Sequence, residues 1–197
     1  MTTLLLATNN KHKVEEIQHF LTGLPYDLLS LSDIPNGPNT IEDAPTLDGN
    51  ALKKAREAYA ATGMLCMADD TGLEVFYLRM EPGVYSARYA GEKVTYKDNC
   101  DKLLRELNGV PVRRRKAQFR TVIAIVGKGI ERTVEGKVEG SILEDPRGEM
   151  GFGYDPLFVP DGSALSYAEM SMEEKNRSSH RARALEKAVQ VLKEIQF

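Results

Sequence analysis

The sequence predicts a mixed α/β fold: an elongated central sheet flanked by helices. Three observations carry that reading. Short apolar runs at residues 3–7, 64–67 and 119–126 have the length and composition of buried strands. Stretches with apolar residues at helical spacing separate the first of these runs. From residue 119 onward, strand-like segments follow one another through short glycine turns, which adds an antiparallel meander to a sheet that begins with helical crossovers. At 197 residues the chain has room for a sizeable core, and we read residues 1–197 as one domain.

Composition narrows the function classes. A formal net charge of −3 argues against wholesale attraction to nucleic acid or an anionic membrane surface. No apolar run approaches a membrane span, and Met1-Thr2-Thr3-Leu4 lacks the basic region of a secretory signal. Two cysteines, Cys66 and Cys100, form neither a disulfide framework nor a zinc motif, so the expected compartment is the reducing cytoplasm.

Taken in order, residues 3–7 are apolar at every second position and between, as in a strand covered on both faces. Thr8-Asn9-Asn10-Lys11-His12-Lys13 follows. Asn10 is an N-cap residue, and Val14, Ile17, Phe20 and Leu21 give the next helix its apolar stripe, with Gly23 as its stop. Strand, polar loop and helix N-terminus bring amide N–H groups and the positive dipole end to a point where an anion can sit. Lys11 and Lys13 add charge. The glycines of a Walker A loop are missing. Residues 24–45 are rich in turns, with one short strand at 26–31 and an acidic pair, Glu42-Asp43.

Thr46 opens a second helix whose predicted apolar stripe is Ala51, Leu52, Ala55, Tyr59 and Thr62, ended by Gly63. Asn50 and Lys53, three apart, share a face near its start and make a candidate phosphate-facing pair. Ala68-Asp69-Asp70-Thr71-Gly72-Leu73 comes next. The apolar run before it and Leu73-Glu74-Val75-Phe76 after it predict two strands with a turn between them, so both carboxylates stand where a buried element meets the surface. Short acids in that position suit a hard divalent cation that keeps waters and bridges to phosphates.

Thr95 and Asp98 predict a capping box, with Tyr96, Cys100, Leu103, Leu104 and Leu107 facing inward. Arg113-Arg114-Arg115-Lys116 reads as an exposed basic loop, and without interleaved aromatics it does not predict a nucleic-acid surface. Residues 119–126, 130–134 and 136–142 read as successive strands. Gly151-Phe152-Gly153-Tyr154-Asp155-Pro156 holds an aromatic ring between two glycines, where a base could stack. Ser166 with Glu169 and Ser171 with Glu174 are two further capping signals. In the last helix Ala182, Leu185, Val189, Leu192 and Ile195 point inward. His180 and Arg181 fall in its first turn, against the helix dipole, a local conflict typical of functional sites.

The four segments 8–13, 68–73, 151–156 and 174–181, in this order and joined by Pro82-Gly83-Val84-Tyr85-Ser86-Ala87-Arg88-Tyr89, resemble the inosine/xanthosine triphosphate pyrophosphatase family. The resemblance spans nearly the whole chain. It implies hydrolysis of ITP, dITP and XTP to monophosphate and pyrophosphate, two lobes with a cleft between them, magnesium as cofactor and a homodimer. It implies that Thr8, Asn10 and Lys13 hold the triphosphate; from the residues alone, Asn9, Lys11 and His12 of the same loop and Lys53 are further candidate substrate contacts. Asp70 matches the proton acceptor and a metal carboxylate, Glu42 a second metal carboxylate, and Thr71 a substrate contact. Phe152, Gly153, Tyr154, Asp155, Lys175, His180 and Arg181 match the nucleoside site. Some relatives carry Glu just before the residue matching Asn50; here that place is Gly49, with Asp48 before it. From the residues alone, either Asp69 or Asp70 could take a proton from water. The alternatives are a pyrophosphatase for modified pyrimidine nucleotides and a nucleotide-binding module without turnover.

Overall fold

The computed structural model describes residues 2–195. A six-stranded mixed sheet runs β2-β1-β3-β4-β5-β6, built from β1 (Thr2–Leu6), β2 (Tyr26–Ser30), β3 (Leu65–Val75), β4 (Lys116–Gly127), β5 (Ile130–Ile142) and β6 (Phe158–Pro160). β1 lies parallel to both β2 and β3, while β5 and β6 are antiparallel. The helices are α1 (Lys11–Leu21), α2 (Leu47–Thr62), α3 (Tyr96–Glu106), the short α4 (Met172–Asn176) and α5 (His180–Glu194). No helix among the described residues is long and apolar enough to cross a membrane.

The chain divides into two compact units, each with its own core. The first comprises the described residues up to Asp70, Thr121–Gly136 and those from Ala182 onward. Leu4, Leu5 and Leu6 are fully buried, as expected of a strand covered on both faces. Leu4, Leu6, Leu65, Met67, Ile123 and Ile125 pack with Ile17 and Leu21 of α1 and Ala184, Leu185, Ala188 and Leu192 of α5. Asn10 caps α1, its Oδ1 accepting from the His12 and Lys13 amides. Thr46 caps α2 and Gly63 ends it in the left-handed conformation.

The second unit comprises Thr71–Arg120 and Lys137–Arg181. Leu73, Val75, Leu103, Leu107, Phe119, Ile142, Leu157, Phe158 and Tyr167 form its core. The predicted capping boxes at Thr95, Ser166 and Ser171 are all present. Tyr96, expected to face inward, is instead 45% exposed, because it sits at the first position of α3, where the stripe has yet to reach the core.

Three elements depart from the sequence reading. The turn expected at Asp69-Asp70 does not exist: β3 runs unbroken through both acids, and its burial continues on either side. Thr71 and Gly72 take extended backbone as part of β3, whose place in the sheet overrides local turn preference. The two strands expected at 130–134 and 136–142 are one thirteen-residue strand. In the basic run, Arg113 and Arg114 are exposed as expected, but Arg115 is 4% exposed. Its guanidinium donates to the carbonyls of Val110, Leu143 and Leu107 at 3.0, 2.9 and 2.8 Å. Arg115→Met is therefore expected to destabilise the protein by about 3 kcal/mol or more, since three buried acceptors lose a charged donor. Urea unfolding checks this, and a midpoint equal to wild type would refute it.

Candidate active site

β3 organises the first cluster. Side chains alternate along a strand, so residues 65, 67, 69 and 71 share one face and 66, 68 and 70 the other. Leu65 and Met67 pack in the core shared with α1. Asp69 accordingly meets α1: its Oδ2 lies 3.1 Å from Lys13 Nζ. Asp70 points to the α2 side. Its Oδ2 accepts from Asn50 Nδ2 at 3.1 Å, and its Oδ1 lies 3.5 Å from Lys54 Nζ. Asp69 and Asp70 are 2% and 6% exposed. Adjacent in sequence, the two acids thus serve different helices.

Burial pushes the Asp70 carboxyl above the ordinary aspartate range, against the pull of Lys54 and Lys13; Glu42 pushes it further up. Desolvation is the main cause. Lys54 shows the converse. Burial opposes its charge, and the carboxylates of Asp70, Glu42 and Asp69 more than restore it, so its pKa stands above the usual lysine value.

α2 presents Lys54, not Lys53, to this cluster. Lys54 Nζ donates to Glu42 Oε1 at 2.8 Å, whereas Lys53 reaches the exposed Asp43 at 2.6 Å. The buried face of α2 is Leu47, Asn50, Ala51, Lys54, Ala55 and Ala58. The predicted stripe shares Ala51 and Ala55 with this face but is rotated from it: Leu52 and Tyr59 are only half-buried, and Lys54 and Ala58 take the core side. The signal for Lys54 lay in its i, i+4 spacing from Asn50 on the Ala51-Ala55-Ala58 side. Gly49 has a packing reason: a Cβ there would stand 2.8 Å from the Ala44 Cβ. A glutamate at that position would have to push aside the segment that follows Glu42.

The polar loop joins the end of β1 to the capped start of α1. Thr8 Oγ1 accepts from the Asn10 amide at 3.2 Å. Asn9, Lys11 and His12 are exposed, while Thr8, Asn10 and Lys13 are half-buried. Among the described residues no group of three His, Cys, Asp or Glu side chains converges as a protein-only metal cage. Glu42 and Asp70, both drawn to one cationic point, form a two-carboxylate oxygen set. That fits a magnesium-type ion, which takes one or two carboxylates and completes its shell with water and phosphate.

The second cluster lies in the second unit. Asp155 Oδ2 accepts from Lys175 Nζ at 2.7 Å and from the Phe152 amide at 2.8 Å. Gly151 makes this possible. Its φ is +76°, and a Cβ there would overlap the Asp155 carboxylate. Lys175 Nζ lies 5.0 Å and Arg181 Cζ 5.5 Å from the centre of the Phe152 ring, within cation–π range. Arg181 Nη2 also donates to Thr71 Oγ1 at 3.2 Å. Tyr154 turns inward, its hydroxyl donating to the Ser86 carbonyl at 2.9 Å, so its side chain anchors the loop. Cys100 Sγ donates to the Gly153 carbonyl at 3.4 Å, and burial pushes its thiol up to about 12.

Two aromatic partners escaped the sequence reading. The His180 ring stacks on Phe119 with centroids 4.5 Å apart, and Tyr96 meets Phe152 at 6.0 Å. Phe119 was legible only as a strand residue, since its partner lies far along the chain. His180 and Arg181 are 3% and 2% exposed, so their cost at the α5 N-terminus is met by tertiary contacts.

Fold and clusters define a class: a mixed α/β protein with a polar strand–loop–helix corner, a buried lysine–carboxylate set and an aromatic ring flanked by cations. The chain belongs to the Ham1 family, whose model matches residues 4–191. It is 50% identical over 184 residues to the dITP/XTP pyrophosphatase of Thermoanaerobacter sp. (strain X514), covering 93% of each protein. It is also 50% identical over 186 residues to the dITP/XTP pyrophosphatase of Geobacter sulfurreducens, covering 94% of each. Among solved structures, a HAM1 protein from Coxiella burnetii has a TM-score of 0.91 at 36% identity, covering 99% of this chain and 100% of the other. The Staphylococcus aureus Ham1 protein gives 0.89 at 34% identity, covering 98% and 99%.

Proposed function

We propose that this chain hydrolyses the deaminated purine nucleotides dITP, ITP and XTP to monophosphate and pyrophosphate, acting as a single pyrophosphatase domain and removing them from the nucleotide pool. The observation that carries this is Asp70. It is a buried carboxylate with a raised pKa, held between Asn50 and Lys54 on a strand whose other face meets Lys13. The names of the relatives, at half identity over nearly the full length, favour deaminated purines over modified pyrimidines and over binding without turnover.

In this reading the Thr8–Lys13 loop and the start of α1 hold the phosphates. Asp70 takes the proton of a water as its oxygen adds to phosphorus and the α–β anhydride bridge opens. Asp69, on the opposite face of β3 and 3.1 Å from Lys13, holds that lysine rather than the water. Glu42 and Asp70 would hold magnesium, which, when bound, neutralises phosphate oxygens and acidifies nearby water. In the second unit Phe152 stacks on the base. Lys175 and Arg181 donate to the 6-oxo group of a deaminated purine, whereas adenine would set a donor against donors. A homodimer and a cytoplasmic setting complete the proposal; the first rests on the resemblance, the second on the paucity of cysteine.

The test is ³¹P NMR of ITP with the protein and magnesium, with ATP in parallel. The expected products are IMP and pyrophosphate, with ATP nearly untouched. Release of IDP and phosphate would overturn the reaction, and equal turnover of ATP would overturn the selectivity.

A further inference from the structure

Lys54 has no part in the chemistry just described, yet it sits at its centre. Its side chain is 11% exposed, with Nζ 2.8 Å from Glu42 Oε1 and 3.5 Å from Asp70 Oδ1. The two carboxylates that would hold a divalent cation are therefore already bridged by a cation belonging to the chain. An ammonium and a divalent ion cannot share that point, because they repel and compete for the same oxygens.

The surroundings show that the carboxylates can keep their places without Lys54. Asp70 is fixed by β3 and by Asn50, whose Nδ2 donates to Oδ2, while the 3.5 Å approach of Lys54 is to Oδ1. Glu42 lies on a segment strapped antiparallel along α2. Thr40 donates to Glu57 at 2.6 Å, Lys53 to Asp43 at 2.6 Å, and the Ala44 amide to Asn50 Oδ1 at 3.0 Å. Three contacts, one before Glu42 and two after it, thus hold its segment against the helix. Lys54 itself is one flexible stem with a point charge at its tip, which can withdraw without disturbing the backbone.

We propose that Lys54 is an exchange cation: its ammonium holds Glu42 and Asp70 together while the divalent ion is absent, and is displaced from between them when that ion enters. The inference rests on Glu42 and Asp70 being the metal carboxylates. Displacement opposes metal entry, so the nucleotide-free protein binds the ion weakly, and the carboxylates are spared mutual repulsion in the meantime.

The experiment is Mn²⁺ titration without nucleotide, followed by electron paramagnetic resonance, on the wild type, Lys54→Met, Lys54→Arg and Lys53→Met. Lys54→Met is expected to bind Mn²⁺ at least about tenfold more tightly than wild type, because a competing charge is gone. Lys54→Arg should bind no more tightly than wild type, since a planar fork grips carboxylates and keeps the charge. Lys53→Met, which removes an equal charge from the exposed side of α2, should stay within about twofold. A measurement on the unmutated protein stands beside these: acetylation of Lys54, read by mass spectrometry, should quicken when magnesium is added, while that of Lys53 should not. Equal Mn²⁺ affinity in wild type and Lys54→Met overturns the exchange and leaves the metal carboxylates standing. Lys54 acetylation unaffected by magnesium also overturns it. Mn²⁺ bound by no variant, even with dITP present, overturns the metal carboxylates and the exchange together.

Discussion

Asp70→Asn is expected to lower kcat for dITP by about a thousandfold, the middle of the range for a lost general base, while nucleotide affinity stays close to wild type. The geometry makes this a clean substitution. Asn is isosteric, its carbonyl can accept from Asn50 Nδ2, and Lys54 keeps Glu42 at 2.8 Å. The raised pKa of Asp70 adds two signs that a structural defect would not reproduce. Asp70 works only when ionised, so wild-type kcat/KM should fall as pH drops through its raised pKa, above the ordinary aspartate range. Stability runs the other way. A carboxyl raised on folding adds stability below its unfolded pKa and loses it as pH rises through the folded value. At neutral pH the ionised Asp70 therefore weighs against the fold, and Asp70→Asn should melt no lower than wild type. Turnover within about tenfold of wild type would remove Asp70 as the base. A melting temperature well below wild type at neutral pH would mean that Lys54 and Asn50 need the charge more than burial penalises it.

What the sequence disclosed and what it hid divide along a physical line. Features set by near neighbours were legible: the Asn10 and Thr46 caps, the three capping boxes and the Gly63 helix stop. Each depends on side chains a few residues away. Features set by distant partners were not. Asp69-Asp70-Thr71-Gly72 has turn composition, but β3 carries it through as strand beyond its pairing with β1, which ends at Met67, with β4 as its other neighbour in the sheet. Lys53 and Lys54 are indistinguishable by type; only the helix face, which follows from where α2 packs, separates the surface pair with Asp43 from the buried contact with Asp70. Arg115 looked like one charge in a run of four, and its three carbonyl partners come together only in the fold. The segments carrying the site were identifiable by their order along the chain. Their internal geometry was not, since Phe119 under His180 and Tyr96 beside Phe152 bring together residues far apart in sequence.

The second large effect is expected at the Asp155–Lys175 pair, and it takes a double substitution to read. The two side chains are 4% and 6% exposed and 2.7 Å apart. Removing one partner strands the other as a buried charge, so Asp155→Asn or Lys175→Met alone should cost about 3–5 kcal/mol, which is roughly 10 °C in melting temperature for a chain of this size. Loss of activity in either single variant would then be ambiguous between misfolding and lost recognition. Asp155→Asn with Lys175→Met removes both charges of the pair together, and the introduced amide oxygen can still accept from the Phe152 amide beside Gly151. The double variant should recover most of the lost stability, a coupling expected of residues in direct contact. Its preference for ITP over ATP should nonetheless fall by at least about a hundredfold, because the donor aimed at the 6-oxo group is gone. Thermal melts and kcat/KM for the two nucleotides separate the outcomes. A stable double variant that still prefers ITP would take Lys175 out of base recognition and leave Arg181 as the discriminating donor. A stable double variant that hydrolyses ITP and ATP alike would place the choice of base at Lys175.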